Sequence, residues 1–248
     1  MKSAATPALS VSPQASASRY DCLCAGIVVA DFVGAPIESV PAAGALAMTE
    51  SISLAIGGCA SNVATDLAKI GRRSAVVGRV GCDMPGRFVR DELARAGVET
   101  QQLVETPGYQ TSSTLVINVR GEDRRFIHTF GANAAFDGSE ISLELMRQAR
   151  VLYVGGFFLM PSLTSQRVAD LFRSAREAGV PTVLDVVIPD PTNCWRELQV
   201  VLPWTDVFLP NVDEGRQLTG LDDPVAQARA FRSIGAKTVV ITCGGEGA

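Results

Sequence analysis

Regular alternation of apolar strands and amphipathic helices in the second half of the chain is the strongest constraint on its fold. Strands are predicted over residues 151–154, 182–186, 206–209 and 238–242, and helices over 163–178, near Trp195, from Asn211 and from Asp223. Asp223 can cap a first helical turn, and Pro224 suits the first helical position. Strands that alternate with helices build a parallel sheet covered on both faces. The sequence therefore predicts an α/β fold with a doubly wound, mostly parallel sheet.

The first half of the chain begins the same sheet and then departs from it. Residues 20–30 form a continuous apolar run, which predicts a buried central strand that ends at Asp31. Residues 32–53 are rich in Gly, Pro and Ala and poorly periodic, so they predict an excursion rather than a crossover helix. Residues 111–130 predict a β-hairpin. Together with part of the excursion, the hairpin predicts a small second sheet.

A glycine pair stands before a predicted helix in the segment Gly57-Gly58-Cys59-Ala60-Ser61-Asn62. Glycine lets the backbone approach a ligand closely, and Asn62 falls where the helix is predicted to begin. An amide beside bare backbone suits a hydroxyl-rich small molecule, and Asp31 could accept two hydrogen bonds from neighbouring hydroxyls. In open parallel sheets such ligands bind at the carboxyl ends of the strands. The alternatives are a loop-capping aspartate and a tight turn with an ordinary helix N-cap.

Charge and composition exclude several functional classes. The net charge of −4 leaves no basic face for nucleic acid or an anionic membrane. No window reaches the roughly 20 apolar residues needed to cross a bilayer. The six cysteines lack zinc-ligand spacing, which predicts reduced core thiols in a cytoplasmic protein. Residues 1–19 are rich in Ser, Ala and Pro and predict a disordered tail, with a transit peptide as the alternative.

The glycine pair belongs to a longer pattern that resembles the first signature of the ribokinase-like (PfkB) carbohydrate kinases. The matching residues are the glycine pair, Asn62, Gly71 and Gly81, preceded by the opening glycine and aspartate at Gly26 and Asp31. The resemblance covers residues 20–248 and implies lid segments at about 32–54 and 108–131. It also implies a possible homodimer through the lid. By resemblance, the residues that bind a sugar or a related polyol are Asp31, Gly57, Gly58 and Asn62.

Two further motifs imply ATP as co-substrate and Mg²⁺ as cofactor. Asn211 and Glu214 resemble the family's N-x-x-E motif, which organises magnesium indirectly, through water. The same pair also fits an N-cap followed by a favourable first-turn acid. The glycine-rich run 242–247 is neither a Walker A loop nor a Rossmann fingerprint. It resembles the family's T-x-G-x-x-G loop, which implies that ATP is bound by Thr242, Gly244 and Gly247.

Weaker signals lie at Asp185 and in the predicted hairpin. Asp185, ten residues before Trp195, resembles a D…W segment of the family's sugar kinases. His128 predicts a surface or hydrogen-bonded histidine rather than a catalytic one. Arg124 and Arg125 predict a charged hairpin face, with contact to an anionic substrate as the alternative.

The resemblance implies ATP-dependent phosphorylation of a sugar-like hydroxyl. The family's G-A-G-D motif, which supplies the general base, does not occur up to Ala248. We therefore expect a C-terminally incomplete and inactive chain, with no catalytic base among its residues. The alternatives are a non-catalytic sugar-binding module from a natural truncation and a nucleoside kinase of the same family. An oxidoreductase is disfavoured because the first βα turn lacks G-x-G-x-x-G.

Overall fold

In the computed structural model, which describes residues 19–248, the chain forms two β-sheets and seven α-helices. Apart from Arg19, the predicted tail at residues 1–19 lies outside the described residues. The strands are β1 Cys22–Gly26, β2 Val29–Gly34, β3 Ile52–Gly57, β4 Ser74–Gly81, β5 Leu103–Thr106, β6 Ser113–Ile117, β7 Arg125–Thr129, β8 Leu152–Phe157, β9 Thr182–Val186, β10 Val207–Phe208 and β11 Thr238–Val239. The helices are α1 Cys59–Lys69, α2 Met84–Arg95, α3 Leu143–Arg147, α4 Ser165–Glu177, α5 Cys194–Val201, α6 Val212–Thr219 and α7 Pro224–Ser233.

The large sheet has seven strands in the order β11-β10-β9-β8-β1-β4-β5, and every neighbouring pair is parallel. Alternate side chains of β1 enter two separate cores. Leu23 and Ala25 pack in the core that includes residues of α3, α4 and α5. Cys22 and Cys24 pack with residues of α1 and α2. A strand covered on both faces has no polar side, which explains its continuous apolar run. The predicted doubly wound α/β fold is confirmed.

The small sheet contains four strands in the order β3-β2-β6-β7. Strand β2 pairs antiparallel with β3 and parallel with β6, and β6 pairs antiparallel with β7. The predicted hairpin is therefore present as β6 and β7. Strands β2 and β3 flank the irregular excursion and join the hairpin, so the prediction of a small second sheet is also confirmed.

The predicted single strand over residues 20–30 is wrong in its second half. The strand of the large sheet ends at Gly26, and the chain then turns so that Val29–Gly34 enters the small sheet. Residues 22–30 are buried throughout, so the apolar run continues across the bend. Hydrophobicity alone cannot show where one buried strand ends and the next begins. Asp31 consequently lies within β2 rather than at the end of a central strand.

The six cysteines are all free, but they do not share one environment. Cys22, Cys24 and Cys194 are buried, as predicted for core thiols. Cys59 and Cys243 are half-buried, and Cys82 is exposed, so the prediction is wrong for Cys82. Cys82 follows the last residue of β4 in the turn that leads to α2, where the chain has left the core. Among residues 19–248, no helix is long and apolar enough to span a membrane.

The cap of α7 gives a local test of the fold. Asp223 accepts hydrogen bonds from the backbone N–H groups of Val225 and Ala226, at 3.3 and 2.9 Å. Replacing Asp223 with alanine leaves these donors without that partner, so we expect a loss of roughly 0.5–2 kcal/mol in the free energy of unfolding. Urea denaturation measures the loss. Alanine at the exposed Asp222 is the control, and equal stability of both variants would contradict the capping role.

Candidate functional site

A cavity of about 380 Å³ lies between the small sheet and the beginning of α1. It also meets the segments that follow β1, β8 and β9, at the carboxyl ends of these parallel strands. Strands β1 and β8 are neighbours in the sheet, but in sequence β4 and β5 come between them and extend the sheet on the other side of β1. The strand order therefore reverses at β1 and β8, which makes this a topological switch point. The lining residues are Ile27, Val29, Asp31, Gly58, Cys59, Asn62, Thr114, Phe126, His128, Leu159 and Val187.

Three polar side chains of the small sheet form a row on the cavity face. Asp31 pairs with Thr114 across β2 and β6, and Thr114 pairs with His128 across β6 and β7. The Thr114 hydroxyl lies 3.0 Å from His128 Nδ1 and also hydrogen-bonds the Asp31 carboxylate. Burial raises the pKa of Asp31, although Thr114 and His128 oppose the rise. Burial lowers the pKa of His128, which favours the neutral imidazole.

The glycine pair shapes the wall of the cavity. A Cβ atom at position 57 would overlap the Asp31 carboxylate, so only glycine leaves room for that side chain. Gly58 has a φ of 90°, which a residue with a side chain rarely adopts, and its backbone starts α1. The sequence predicted that the glycine backbone approaches a ligand closely; at Gly57 the group that the backbone approaches is the side chain of Asp31. Of the two glycines, Gly58 lines the cavity.

The prediction that the helix begins at Asn62 is wrong by three residues. Helix α1 begins at Cys59, and Gly58 occupies the N-cap position with no side-chain cap. The unusual backbone of Gly58 replaces the expected polar cap. Asn62 instead lies in the first turn, where its N–H donates to the Gly58 carbonyl at 2.9 Å. Its amide makes no capping bond and lines the cavity together with Asp31.

Asn211 and Glu214 form a reciprocal capping box at the start of α6. The Glu214 N–H donates to Asn211 Oδ1, and the Asn211 N–H donates to Glu214 Oε2, both at 2.8 Å. The pair therefore caps the helix, which was the alternative to metal binding. The capping box uses only Oε2 of Glu214, so Oε1 does not take part in it. Burial raises the pKa of Glu214 to about 7, with added repulsion from Asp185 and Asp213, while the bond from Asn211 opposes the rise.

Asp185 on β9 connects the cavity to this capping box. The Tyr153 hydroxyl donates to Asp185 Oδ2 at 2.7 Å, and the nearby Cys59 thiol also acts to lower the pKa of Asp185. Burial raises the pKa of Asp185. Cys59 lines the cavity, and the charge of Asp185 acts on Glu214. Only the Asp–Trp spacing pointed to Asp185 in the sequence, and nothing there indicated its nearness to Glu214.

The glycine-rich run after β11 lies beside the start of α6. The Val212 N–H donates to the Thr242 carbonyl at 2.9 Å, and Asn211 and Thr242 form an isolated β-bridge. The Cys243 N–H donates to the Gly247 carbonyl at 2.7 Å and closes the loop. Thr242, Gly244 and Gly247 are all exposed. The structure therefore brings the two predicted nucleotide-side motifs together.

The donor set near α6 fits a weakly held hard cation. Residues 19–248 contain no group of three or more His, Cys, Asp and Glu side chains that could enclose a metal. Mg²⁺ does not need such an enclosure, because it retains several waters and is often held by one or two carboxylates plus phosphates. Asp185 and Glu214 are half-buried carboxylates, and repulsion from Asp185 raises the pKa of Glu214. A bound cation would relieve that repulsion.

The weaker signals on the hairpin have distinct outcomes. His128 is half-buried with one nitrogen hydrogen-bonded, but its Nε2 atom is buried without a partner in the described part of the chain. Arg124 stacks on the Phe126 ring, 5.6 Å from its centroid. Arg125 forms an ion pair with Glu122. Both arginines are exposed, in agreement with the predicted charged hairpin face.

The raised pKa of Glu214 leads to a prediction about stability. The pKa of Glu214 is about 7 in the folded chain and 4.5 ordinarily. Between these two pH values the folded chain keeps a proton on Glu214 that the unfolded chain has released. The resulting stabilisation is present below about pH 4.5 and is lost as the pH rises through about 7. Relative to Glu214→Gln, which cannot titrate, we expect the free energy of unfolding to fall by roughly 1–3 kcal/mol across this window. Urea denaturation at stepped pH measures the difference, and parallel pH profiles would contradict the prediction.

The parallel sheet, the small mixed sheet and the cavity define a ribokinase-like fold. The structure of Arabidopsis thaliana ribokinase complexed with ribose and ATP superposes with a TM-score of 0.75 at 22% identity, covering 91% of this chain and 72% of that one. The family model for the pfkB family of carbohydrate kinases matches residues 20–248. The chain therefore belongs to the pfkB family of carbohydrate kinases.

Two curated relatives give the scale of the similarity. The 2-dehydro-3-deoxygluconokinase of Bacillus subtilis (strain 168) is 27% identical over 217 residues, or 83% of this chain and 66% of that protein. Probable fructokinase-2 of Arabidopsis thaliana is 26% identical over 224 residues, or 85% of this chain and 67% of that protein. The chain thus spans about two thirds of the length of these relatives.

Proposed function

We propose that this chain carries the sugar-binding site and part of the nucleotide site of an ATP-dependent carbohydrate kinase. One observation carries the proposal: the Asp31 cavity and the Asn211–Glu214 capping box lie at the same edge of the large sheet, and Asp185 interacts with both. Phosphoryl transfer requires an alcohol and a nucleotide to meet at neighbouring sites. Membership of the pfkB family supports this function.

The proposed roles follow from the chemistry of each group. Asp31 and Asn62 hydrogen-bond the hydroxyl groups of the sugar, and the backbone of Gly57 and Gly58 forms the adjoining wall. The small sheet, whose inner face carries Asp31, acts as the lid over this site. Carboxylate and amide side chains, which accept hydrogen bonds from neighbouring hydroxyl groups of a ligand, are suited to orienting a sugar.

On the nucleotide side, Thr242, Gly244 and Gly247 contact ATP. Asn211 and Glu214 organise Mg²⁺ through water, with Asp185 as a further oxygen donor nearby. When bound, the ion supplies charge neutralisation for the phosphate groups. We assign no residue of this chain as the general base. The start of α6 lies beside the same glycine-rich run and favours phosphate through the positive end of its helix dipole.

The outer face of the small sheet supports a homodimer. Its exposed apolar side chains include Ile52, Leu115 and Ile127, and β3 and β7 are edge strands. Exposed edges and apolar surface favour association with a second copy. We also place the protein in the cytoplasm, where its six unpaired thiols would stay reduced.

A coupled assay of ADP release tests the proposed function. The product of the complete reading frame, whether or not it extends beyond Ala248, is assayed with Mg·ATP and a panel of sugars and nucleosides. We expect sugar-dependent ADP release from that product, and sugar binding without turnover from the 248-residue chain. Turnover by the 248-residue chain would place the general base among its residues. Sugar binding without ADP release from the complete product would favour a binding module, and preference for nucleosides would favour a nucleoside kinase.

A further inference from the structure

The cavity has a one-sided charge. Asp31 is its single carboxylate, and none of its lining residues, all in the described part of the chain, is lysine or arginine. Of the guanidinium groups of the hairpin, Arg124 stacks on the ring of Phe126, which is a lining residue, and Arg125 pairs with Glu122, but neither arginine itself lines the cavity. A substrate carboxylate in this cavity would meet the negative charge of Asp31 without a compensating cation. Such an uncompensated like-charge contact in a partly buried site is strongly unfavourable.

The direction of the hydrogen bonds in the polar row can be assigned. The bond from Thr114 lowers the pKa of Asp31, so the hydroxyl donates to the carboxylate. A hydroxyl has one proton, and its oxygen is therefore left to accept a bond from His128 Nδ1. In a neutral imidazole with the proton on Nδ1, Nε2 is an acceptor. That Nε2 atom is buried and has no partner among residues 19–248, while His128 lines the cavity.

Asp31 on β2 and His128 on β7, with β6 between them, both line the cavity, and each carries an acceptor. We infer that the cavity selects a neutral polyol whose hydroxyl groups donate to Asp31 and to His128 Nε2, and that it rejects sugar acids. This inference depends on the proposed function. It makes His128 a specificity-determining residue, and it separates this chain from its 2-dehydro-3-deoxygluconokinase relative, which is named for a sugar-acid substrate.

Apolar lining residues agree with this substrate class. Ile27, Val29 and Leu159 line the same cavity and offer surface for the C–H groups of a sugar ring or chain. A binding site for a small neutral molecule commonly combines such apolar walls with a few placed hydrogen-bonding groups. The cavity therefore has contacts for both the hydroxyl and the C–H sides of a polyol, and no lysine or arginine side chain that would pair with an anionic group.

Isothermal titration calorimetry with two ligand sets tests the inference without requiring turnover. The neutral set is D-fructose, D-ribose and D-glucose, and the acid set is D-gluconate and 2-dehydro-3-deoxy-D-gluconate. We expect at least one neutral sugar to bind about 100-fold more tightly than either acid. Equal or tighter binding of an acid overturns the inference but leaves the kinase proposal intact. Absence of binding by every ligand in both sets overturns the inference and the proposed sugar site together.

Variants of His128 test its role as acceptor. His128→Leu removes the acceptor and should lower the affinity for the neutral sugar by about 10-fold. In His128→Gln an amide oxygen can reach the same region, so this variant should recover most of the lost affinity. Arg124→Ala is the control and should change the affinity for neither ligand set. Thermal melts check that each variant is folded. Equal loss in His128→Leu and His128→Gln would assign His128 a packing role, and acid binding that disappears in Arg124→Ala would assign anion recognition to that arginine.

Discussion

Replacing Asp31 with alanine is expected to lower the proposed kcat/KM for the sugar by about 10²- to 10⁴-fold in the product of the complete reading frame. The carboxylate can accept two hydrogen bonds from substrate hydroxyls, and each bond to a charged group contributes about 1.5–3 kcal/mol. The melting temperature should change little, because Asp31 has no ion-pair partner in the described chain and burial already disfavours its charge. Steady-state kinetics and a thermal melt of the same preparation measure both quantities.

Two further substitutions make this result specific. Gly57→Ala should reproduce part of the loss, because its added Cβ would overlap the Asp31 carboxylate and displace it. Asp66→Ala is the matched control: Asp66 is an exposed aspartate on α1 that pairs with Lys69 outside the cavity. Unchanged sugar kinetics in Asp31→Ala would remove Asp31 from the binding site. A loss of similar size in Asp66→Ala would show that the assay responds to surface charge rather than to the cavity.

Glu214→Gln is expected to reduce turnover by about 10- to 100-fold and to raise the magnesium concentration needed for half-maximal rate. The substitution removes the charge that we propose orients the hydrated ion. The capping box should persist, since a glutamine oxygen can still accept the bond that the Asn211 N–H donates. Sugar affinity should be retained, because Glu214 is not among the residues that line the cavity.

Magnesium titrations of the rate at saturating sugar measure this effect. Asp222→Asn is the control, because Asp222 is an exposed aspartate that pairs with the same Arg216 and is not among the groups that shift the pKa of Glu214. A normal magnesium dependence in Glu214→Gln would limit Glu214 to its capping role. Loss of sugar binding with turnover retained would require the roles of Asp31 and Glu214 to be exchanged.

Features that depend on neighbouring residues in sequence could be predicted. The helices that begin after Asn211 and Asp223 follow from capping side chains within three residues of the backbone groups they bind. The hairpin and the alternation of strands with helices follow from local turn residues and apolar periodicity. The motif residues Asp31, Asn62, Asn211 and Glu214 were also identified, although their part in binding is still a prediction.

Two local features were not predicted, because the pattern of apolar and polar side chains does not record backbone conformation. The bend after Gly26 is hidden because both flanking strands are buried and equally apolar. Helix α1 begins at Cys59 because of the backbone conformation of Gly58, which a side-chain pattern does not encode.

The sequence by itself determined the class of fold, the family and the starts of α6 and α7, because each is recorded in residues a few positions apart. Tertiary structure alone decided the composition of the cavity. Asp31, Thr114 and His128 become neighbours only through the register of β2, β6 and β7, and the charge of Asp185 reaches Glu214 only when β9 and α6 are packed. Register and packing are set by the summed burial of whole strands, so no short segment specifies them.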